Sequence, residues 1–546
     1  MAATRRKQSE RLRAVIVHNS RGRGNCVPSE RSAHEHWGFR TMNRIACVMI
    51  LLAATTPVAA ESALRIEHVT VVSPERKQPL RDATVYIGQG RILSVSGGSG
   101  AKVASASAAT VVDGHGLYLI PGLIDSHVHT GVVNGMSPKD ETAHPDIASA
   151  AREQIPRSYL YFGFTTLVDL DSGPEPMARW NAQEVRPYTF FCGGAPVVDG
   201  YPTTWEPKEQ RYQRRYLIVQ KGDEAKVPKS LDPAAHTPEA VVSRMKADGM
   251  YCVKAFYDER ELGPDVIPPV PRLETLRALV DAAHAAHMPV FVHALTTEAQ
   301  SMALQSGADI IAHGLWEWTG EAQKVELTPK VREVLDEVVR KKVAWQPTMQ
   351  VGYGFRDLYD PGYLSSPLLA RVLPTALIQW YGTTEGQWFR DQVASGLPKE
   401  LAMMTPEARW AWARSEPAYV GMFSRVARTT KYLVSHDGRV IFGTDSPCAP
   451  LYTNPPGLNG WKEMHHLAEA GLTPLQIFRA ATLVNAEAIN LSHEIGTVEA
   501  GKHANLLLVR RDPTESIEAY DQIEKVILGG QVFNREELSA KRLLRQ

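Results

Sequence analysis

Residues 121–131, PGLIDSHVHTG, form a short apolar run that ends in two histidines one residue apart. In a β-strand residues i and i+2 share a face, so His127 and His129 project together while Val128 points the other way into packing. Two neutral imidazoles on one face are half of a metal site. Gly122 and the turn before it open the strand and place the histidines at its C-terminal end, where barrel enzymes keep their chemistry. Taken alone, His-x-His equally fits a partly buried structural pair.

Outward from this stretch the pattern repeats as apolar strand, loop and helix. TTLVDLD, YTFFCGG, MYCVKAFYD, PVFVHAL, DIIAHG, VAWQPTM and VIFGTDSP read as strands, and with LIDSHVH they make about eight. They alternate with helical segments such as LETLRALVDAAHAAH, which fits a (β/α)8 TIM barrel of the α/β class. Before the barrel, LRIEHVTVVSP, DATVYIGQGRILSVSG and ATVVDGHGLYLIPG are β-branched stretches broken by turn residues. IGTVEAGKHANLLLVRRD and EKVILGGQVFN return to short strands at the end. The expected architecture is a barrel over 121–492 inserted into a small β-sandwich domain built from 61–120 and 493–546, the latter including a C-terminal tail. A stretch from about 352 to 436 is longer than a barrel connection needs and reads as an insertion.

At 546 residues, with 44% hydrophobic and 22% charged residues, the composition is that of a soluble globular protein with a large core. Sixty basic residues balance sixty acidic ones, which removes bulk electrostatic attraction to nucleic acid. Met42-Asn43-Arg44, the apolar IACVMILLAA and the small residues up to Ala60 match a secretory signal over 42–60, too short for a confident membrane span. Residues 1–41 then read as a disordered extension or the product of an over-long start, and the mature protein as periplasmic or secreted, with no stable membrane span after cleavage. Only Cys192, Cys252 and Cys448 follow the signal, and three cysteines make no disulfide framework.

Polar residues collect at the strand ends: His127 and His129, Lys254, His293, His313 and Asp445. An unpartnered charge buried there costs several kcal/mol. Six such positions facing one barrel mouth point to metal. His284, His287, His465 and His466 sit in helical patterns, and adjacent His465 and His466 diverge by about 100° on a helix, so they read as surface or packing residues.

Several of these pieces, in this order, resemble the amidohydrolase superfamily over nearly all of the mature chain: PGLIDSHVHTG, GFTTLVDLD, VKAFYD, FVHA, AHG, GTDSP, GLTPLQIFRAATLVNAEAI and IGTVEAGKHANLLLV. The branch most similar is the imidazolonepropionase-like and Xaa-Pro dipeptidase (prolidase-like) group. That resemblance implies two divalent metal ions, zinc by the family's habit. His127, His129 and Asp445 would hold the more buried ion, His293 and His313 the outer one, and a carboxylated Lys254 would bridge both. An ammonium cannot ligate a cation, whereas a carbamate is an anionic oxygen ligand. A metal-bridging hydroxide would attack the substrate, with Asp445 as general base and then acid. The chain departs from the pattern at Ala312-His313-Gly314, usually Glu-His-Gly, and at Asn505, usually Asp; neither change removes a ligand.

The implied reaction is hydrolysis of a C–N amide bond in a small-molecule or peptide substrate, a dipeptide such as Xaa-Pro or an N-acyl amino acid. A lactone, cyclic amide or phosphotriester hydrolase would use the same ligands, and a non-catalytic binding relative is the reading from another class. Tyr257, Arg260 and Tyr353 are candidate substrate-binding residues, and residues 353–388 a candidate lid over the mouth. The tryptophans Trp380, Trp388, Trp410 and Trp412 fit packing of the inserted helices and an interface in a homo-oligomer.

Overall fold

The computed structural model of the chain describes residues 63–98, 110–260, 266–321, 323–395, 399–448 and 450–544. The extension and signal read over 1–60 lie outside these residues.

Alternation builds the first strands. In β1 (Leu64–Val71), Leu64, Ile66, Val69 and Val71 are buried between more exposed neighbours, and β2 (Leu80–Gly88) buries Ala83, Val85 and Ile87 in the same way. With β3 (Arg91–Gly97), β4 (Thr110–Asp113), β5 (Tyr118–Pro121) and three strands from the end of the chain, β13 (Leu506–Val509), β14 (Ile523–Leu528) and β15 (Gln531–Asn534), they form one sheet in the order β15-β14-β13-β5-β1-β2-β3, with β4 paired to β1.

The two chain ends therefore do meet, but edge to edge in a single eight-stranded sheet and not as the expected β-sandwich. The cause is β1, whose first half pairs with β4 and whose second half pairs with β5, leaving β5 free to take β13 on its other side. β13 reads Leu-Leu-Leu-Val because both of its faces are buried: Leu506 and Leu508 join the cluster of Ile66, Val85 and Leu119, while Leu507 and Val509 join the barrel core.

The barrel strands are β6 (Leu123–Val128), β7 (Phe164–Ser172), β8 (Tyr188–Ala195), β9 (Cys252–Tyr257), β10 (Val290–Ala294), β11 (Ile310–Ala312) and β12 (Ala344–Trp345), all parallel and hydrogen-bonded in chain order. The segment 440–446 bridges both edges, Val440 against Trp345 and Ser446 against Val128. Ile441 N–H donates to the Trp345 carbonyl at 3.0 Å and Asp445 N–H to the His127 carbonyl at 2.7 Å. Seven strands and this bridging segment thus occupy the positions where eight strands are expected. Ile124, Val168, Leu170, Cys192, Cys252, Phe291, Ile310, Ala344 and Ile441 pack as one cluster with Ile489 and Ile495, while Val253, Ala255, Val290, Val292 and Ile311 belong to the larger cluster that includes the helices.

Two sequence expectations change here. Cys192 and Cys252 lie directly opposite each other on β8 and β9 and form a disulfide, so the three cysteines are one bridge and one free thiol, Cys448. Pairing of neighbouring strands put these two positions together, which spacing along the chain could not reveal. The segment 353–388 is packed down: Tyr363 Oη donates to the Thr453 carbonyl at 2.9 Å, Ser158 Oγ to the Val372 carbonyl at 2.6 Å, and the Tyr381 hydroxyl to the Asn134 carbonyl. Leu369, Leu377, Trp380 and Tyr381 are buried with them. Among the described residues no helix is long and apolar enough to cross a membrane.

The disulfide closes a loop of 60 residues. Removing it by the double substitution Cys192→Ala and Cys252→Ala should destabilise the protein by about 4 kcal/mol, from the chain entropy returned to the unfolded state. Urea unfolding read by tryptophan fluorescence checks this, and an unchanged midpoint would contradict it.

Candidate metal centre

His127, the penultimate residue of β6, is almost fully buried, and His129 lies just outside the strand. Their Nε2 atoms lie 3.3 and 2.9 Å from Asp445 Oδ1. The three ligand atoms all fall within 4.8 Å of one another, close enough for one cation to meet all of them. His313, beyond β11, continues the cluster, its ring 5.0 Å from that of His127 and its Nδ1 4.0 Å from Asp445 Oδ2. His293 on β10 lies 4.6 Å from His313, ring to ring. Lys254 on β9 is 2% exposed, its charge acts on His127, His293, His313 and Asp445, and its Nζ has no hydrogen-bond partner among the described residues. All six strand-end residues singled out in the sequence are therefore gathered at one mouth.

The backbone is bent to achieve this. His313 (φ +79°), Asp445 (φ +58°) and Thr348 (φ +46°) all take left-handed conformations that non-glycine residues seldom adopt. Gly443 is required beside them, because a Cβ there would come within 2.8 Å of Gln346 Nε2 and 2.9 Å of His127 Cβ.

A set of polar side chains that the sequence reading passed over fixes the rings. Gln346 Oε1 faces His127 Nδ1 at 3.2 Å and its amide donates to Ser126, so His127 turns Nε2 toward Asp445. Thr348 Oγ1 lies 3.0 Å from His313 Nδ1, and Asp258 Oδ2 3.2 Å from His293 Nε2. Asp125 accepts from Thr444 Oγ1 at 2.7 Å and from the Thr444 N–H at 3.0 Å, tying β6 to the closing segment. Asp169 accepts from Thr130 in the same manner. The available signal was a carboxylate or amide inside an apolar run, as in LIDSHV, TTLVDLD and AWQPT, where nothing but a buried partner could satisfy it.

Burial holds His127, His293 and His313 below the ordinary imidazole range, which keeps them neutral and their lone pairs available. Burial alone would raise Asp445, but His127, His129 and Lys254 override it and hold the carboxyl well below its usual range. His129 goes the other way, since Asp445 outweighs its desolvation and raises it. Burial brings Lys254 down to about 7 against the pull of Asp445 and Asp171. Imidazole nitrogens around an ionised carboxylate form a donor set that fits a divalent cation of zinc's type.

The three candidate substrate contacts are placed otherwise. Tyr257 shares the face of Val253 and Ala255 and is buried among the helix-packing residues, because strand alternation sets it opposite Lys254 and Phe256. The Arg260 fork is closed on Asp258, at 2.7 and 2.6 Å. Tyr353 is sandwiched between Phe423 at 3.8 Å and His466 at 3.6 Å, so both faces of its ring are covered. Arg211 and Arg214 are paired with Asp199, Glu206 and Asp171, and His284 with Asp309.

Residues 426–533, which contain Asp445 and strands β13 and β14, match the model of the amidohydrolase family. No curated protein sequence matches the chain. Among solved structures, a Xaa-Pro dipeptidase with methionine bound in its active site superposes with a TM-score of 0.59 at 19% identity, over 87% of this chain and 100% of that one. A putative prolidase from Bifidobacterium longum gives 0.57 at 20% identity, over 87% and 95% of the two chains. The ochratoxinase of A. niger gives 0.60 at 17% identity, over 87% and 96%. At these identities the likeness establishes a shared fold. The C-terminal part of the chain thus matches the amidohydrolase family, and the chain as a whole shares the fold of these prolidase-like structures.

Proposed function

We propose that this enzyme hydrolyses the C–N amide bond of a small substrate, a dipeptide such as Xaa-Pro or an N-acyl amino acid. The observation that carries the reading is Lys254, whose Nζ is buried without a partner among the described residues beside a compact His127, His129 and Asp445 cluster. A lysine nitrogen is an orphan there; carboxylated by CO2, with a new N–C bond and loss of one proton, it becomes an anionic oxygen ligand. His127, His129 and Asp445 would then hold one divalent ion and His293 and His313 a second, with Lys254 as a further anionic ligand. When bound, the ions supply Lewis acidity and lower the pKa of water at the site.

The chain's own residues do the rest. Asp445 lies at the centre of the cluster and is held ionised, so its carboxylate takes a proton from the attacking water and passes it to the leaving amine. Gln346, Thr348 and Asp258 keep the imidazoles from turning. The substrate class follows the dipeptidase, prolidase and ochratoxinase that share the fold. The signal pattern beginning at Met42 supports a periplasmic or secreted enzyme.

Protein from residue 61 onward, supplied with zinc and bicarbonate, should release amine from members of a dipeptide and N-acyl amino acid library. Stripping with a chelator should abolish the release and zinc should restore it; chelator-resistant activity would remove the metal from the reaction. Asp445→Asn should lower kcat by about 10²–10⁴-fold while the protein stays folded, as expected on loss of a proton-transfer group. A variant as active as wild type would show that Asp445 is not that group.

A further inference from the structure

We infer that Asp258, clamped by Arg260, is the positioning residue that sets the tautomer and orientation of His293. The inference rests on the two-ion reading above and concerns how its second ion is held.

The chain folds back directly after β9: Arg260 N–H donates to Asp258 Oδ1 at 3.2 Å, a tight turn that returns the Arg260 side chain to the residue two before it. There Arg260 Nε donates to Oδ1 at 2.7 Å and Nη2 to Oδ2 at 2.6 Å, a bidentate pair. The Asp258 side chain is fully buried, so this pair is shielded from water. Oδ2 also faces His293 Nε2 at 3.2 Å. Arginine only donates, so the carboxylate between the two groups is an acceptor on both sides and the proton on His293 resides on Nε2. His293 Nδ1 is left with its lone pair, the atom a cation would meet.

The ring is held against rotation as well. Tyr201 stacks on it at 4.5 Å and 26°, and His313 meets it edge-on at 4.6 Å and 73°. The role of Arg260 is thereby internal: its fork orients a carboxylate of this chain in place of a substrate carboxylate.

Asp258→Asn tests the assignment, because the amide keeps the shape but turns its oxygen to the donor-only Arg260 fork and its N–H to His293, so that Nε2 must accept and the ring proton moves to Nδ1. Zinc titration against a chromophoric chelator is the readout, with kcat and KM measured on any dipeptide that wild type turns over. The variant should bind its second zinc about 10–100-fold more weakly, the usual effect of losing such an outer partner. The first zinc and the melting temperature of the metal-free protein should stay as in wild type, and kcat should fall more than KM changes. Arg260→Gln, which loosens Asp258 without altering it, should move the second site in the same direction by less. Two zinc ions held by Asp258→Asn as tightly as by wild type overturn the positioning role and leave the two-ion reading intact. A wild-type protein with one zinc site that neither variant alters overturns both.

Discussion

The centre depends on how the barrel closes. The last strand position, residues 440–446, is laid down more than 300 residues after β6, yet its backbone is bonded to β6 at Ser126, His127 and His129, with Asp445 N–H on the His127 carbonyl at 2.7 Å and His129 N–H on the Ser446 carbonyl at 2.8 Å. Asp125 reinforces the seam from below through Thr444. Once that seam is made, Asp445 has no choice of neighbours: its Oδ1 lies between the Nε2 atoms of His127 and His129. A shift of one residue would turn each of these side chains to the opposite face, because strand side chains alternate with period two. Barrel closure and assembly of the donor set are thus one event. The left-handed backbone at His313, Thr348 and Asp445 is tolerated because the surrounding hydrogen bonds determine these positions several times over.

Much of this was readable from residues alone, for reasons that can be named. Parallel strands buried on both faces leave continuous apolar runs, and a polar residue at the end of such a run has nowhere to be but the mouth; His127, His129, Lys254, His293, His313 and Asp445 all declared themselves that way. What stayed hidden depends on which strand lies beside which. The Cys192–Cys252 bridge needs the register of β8 on β9. The sheet of the two chain ends reads as a sandwich because short alternating strands carry no mark of their partners, and only the split pairing of β1 decides for a single sheet. Tyr257 and Arg260 were adjacent to a site residue in sequence, but alternation sends the first to the helix side and a backbone turn folds the second onto Asp258. Tyr353 belongs to an aromatic stack whose members, Phe423 and His466, are remote in the chain.

The electrostatics of Lys254 bring these threads together. An ammonium at 2% exposure, with no hydrogen-bond partner among the described residues, is among the more costly things a fold can bury. Its drop from 10.5 to about 7 corresponds to about 5 kcal/mol in favour of shedding the proton. Asp445 and Asp171 oppose that drop, yet neither forms a bond to the nitrogen, and at an effective dielectric of 20 a charge pair about 4 Å apart recovers about 4 kcal/mol only at contact. Desolvation therefore wins. The same burial that neutralises Lys254 also keeps His127, His293 and His313 neutral, so cations placed among them would face lone pairs in place of like charges. Such a mouth, with one ionised carboxylate at its centre, fits a divalent cation. Asp258 shows the converse arrangement at its margin, where Arg260 provides the balancing charge and the carboxylate is free to orient an imidazole.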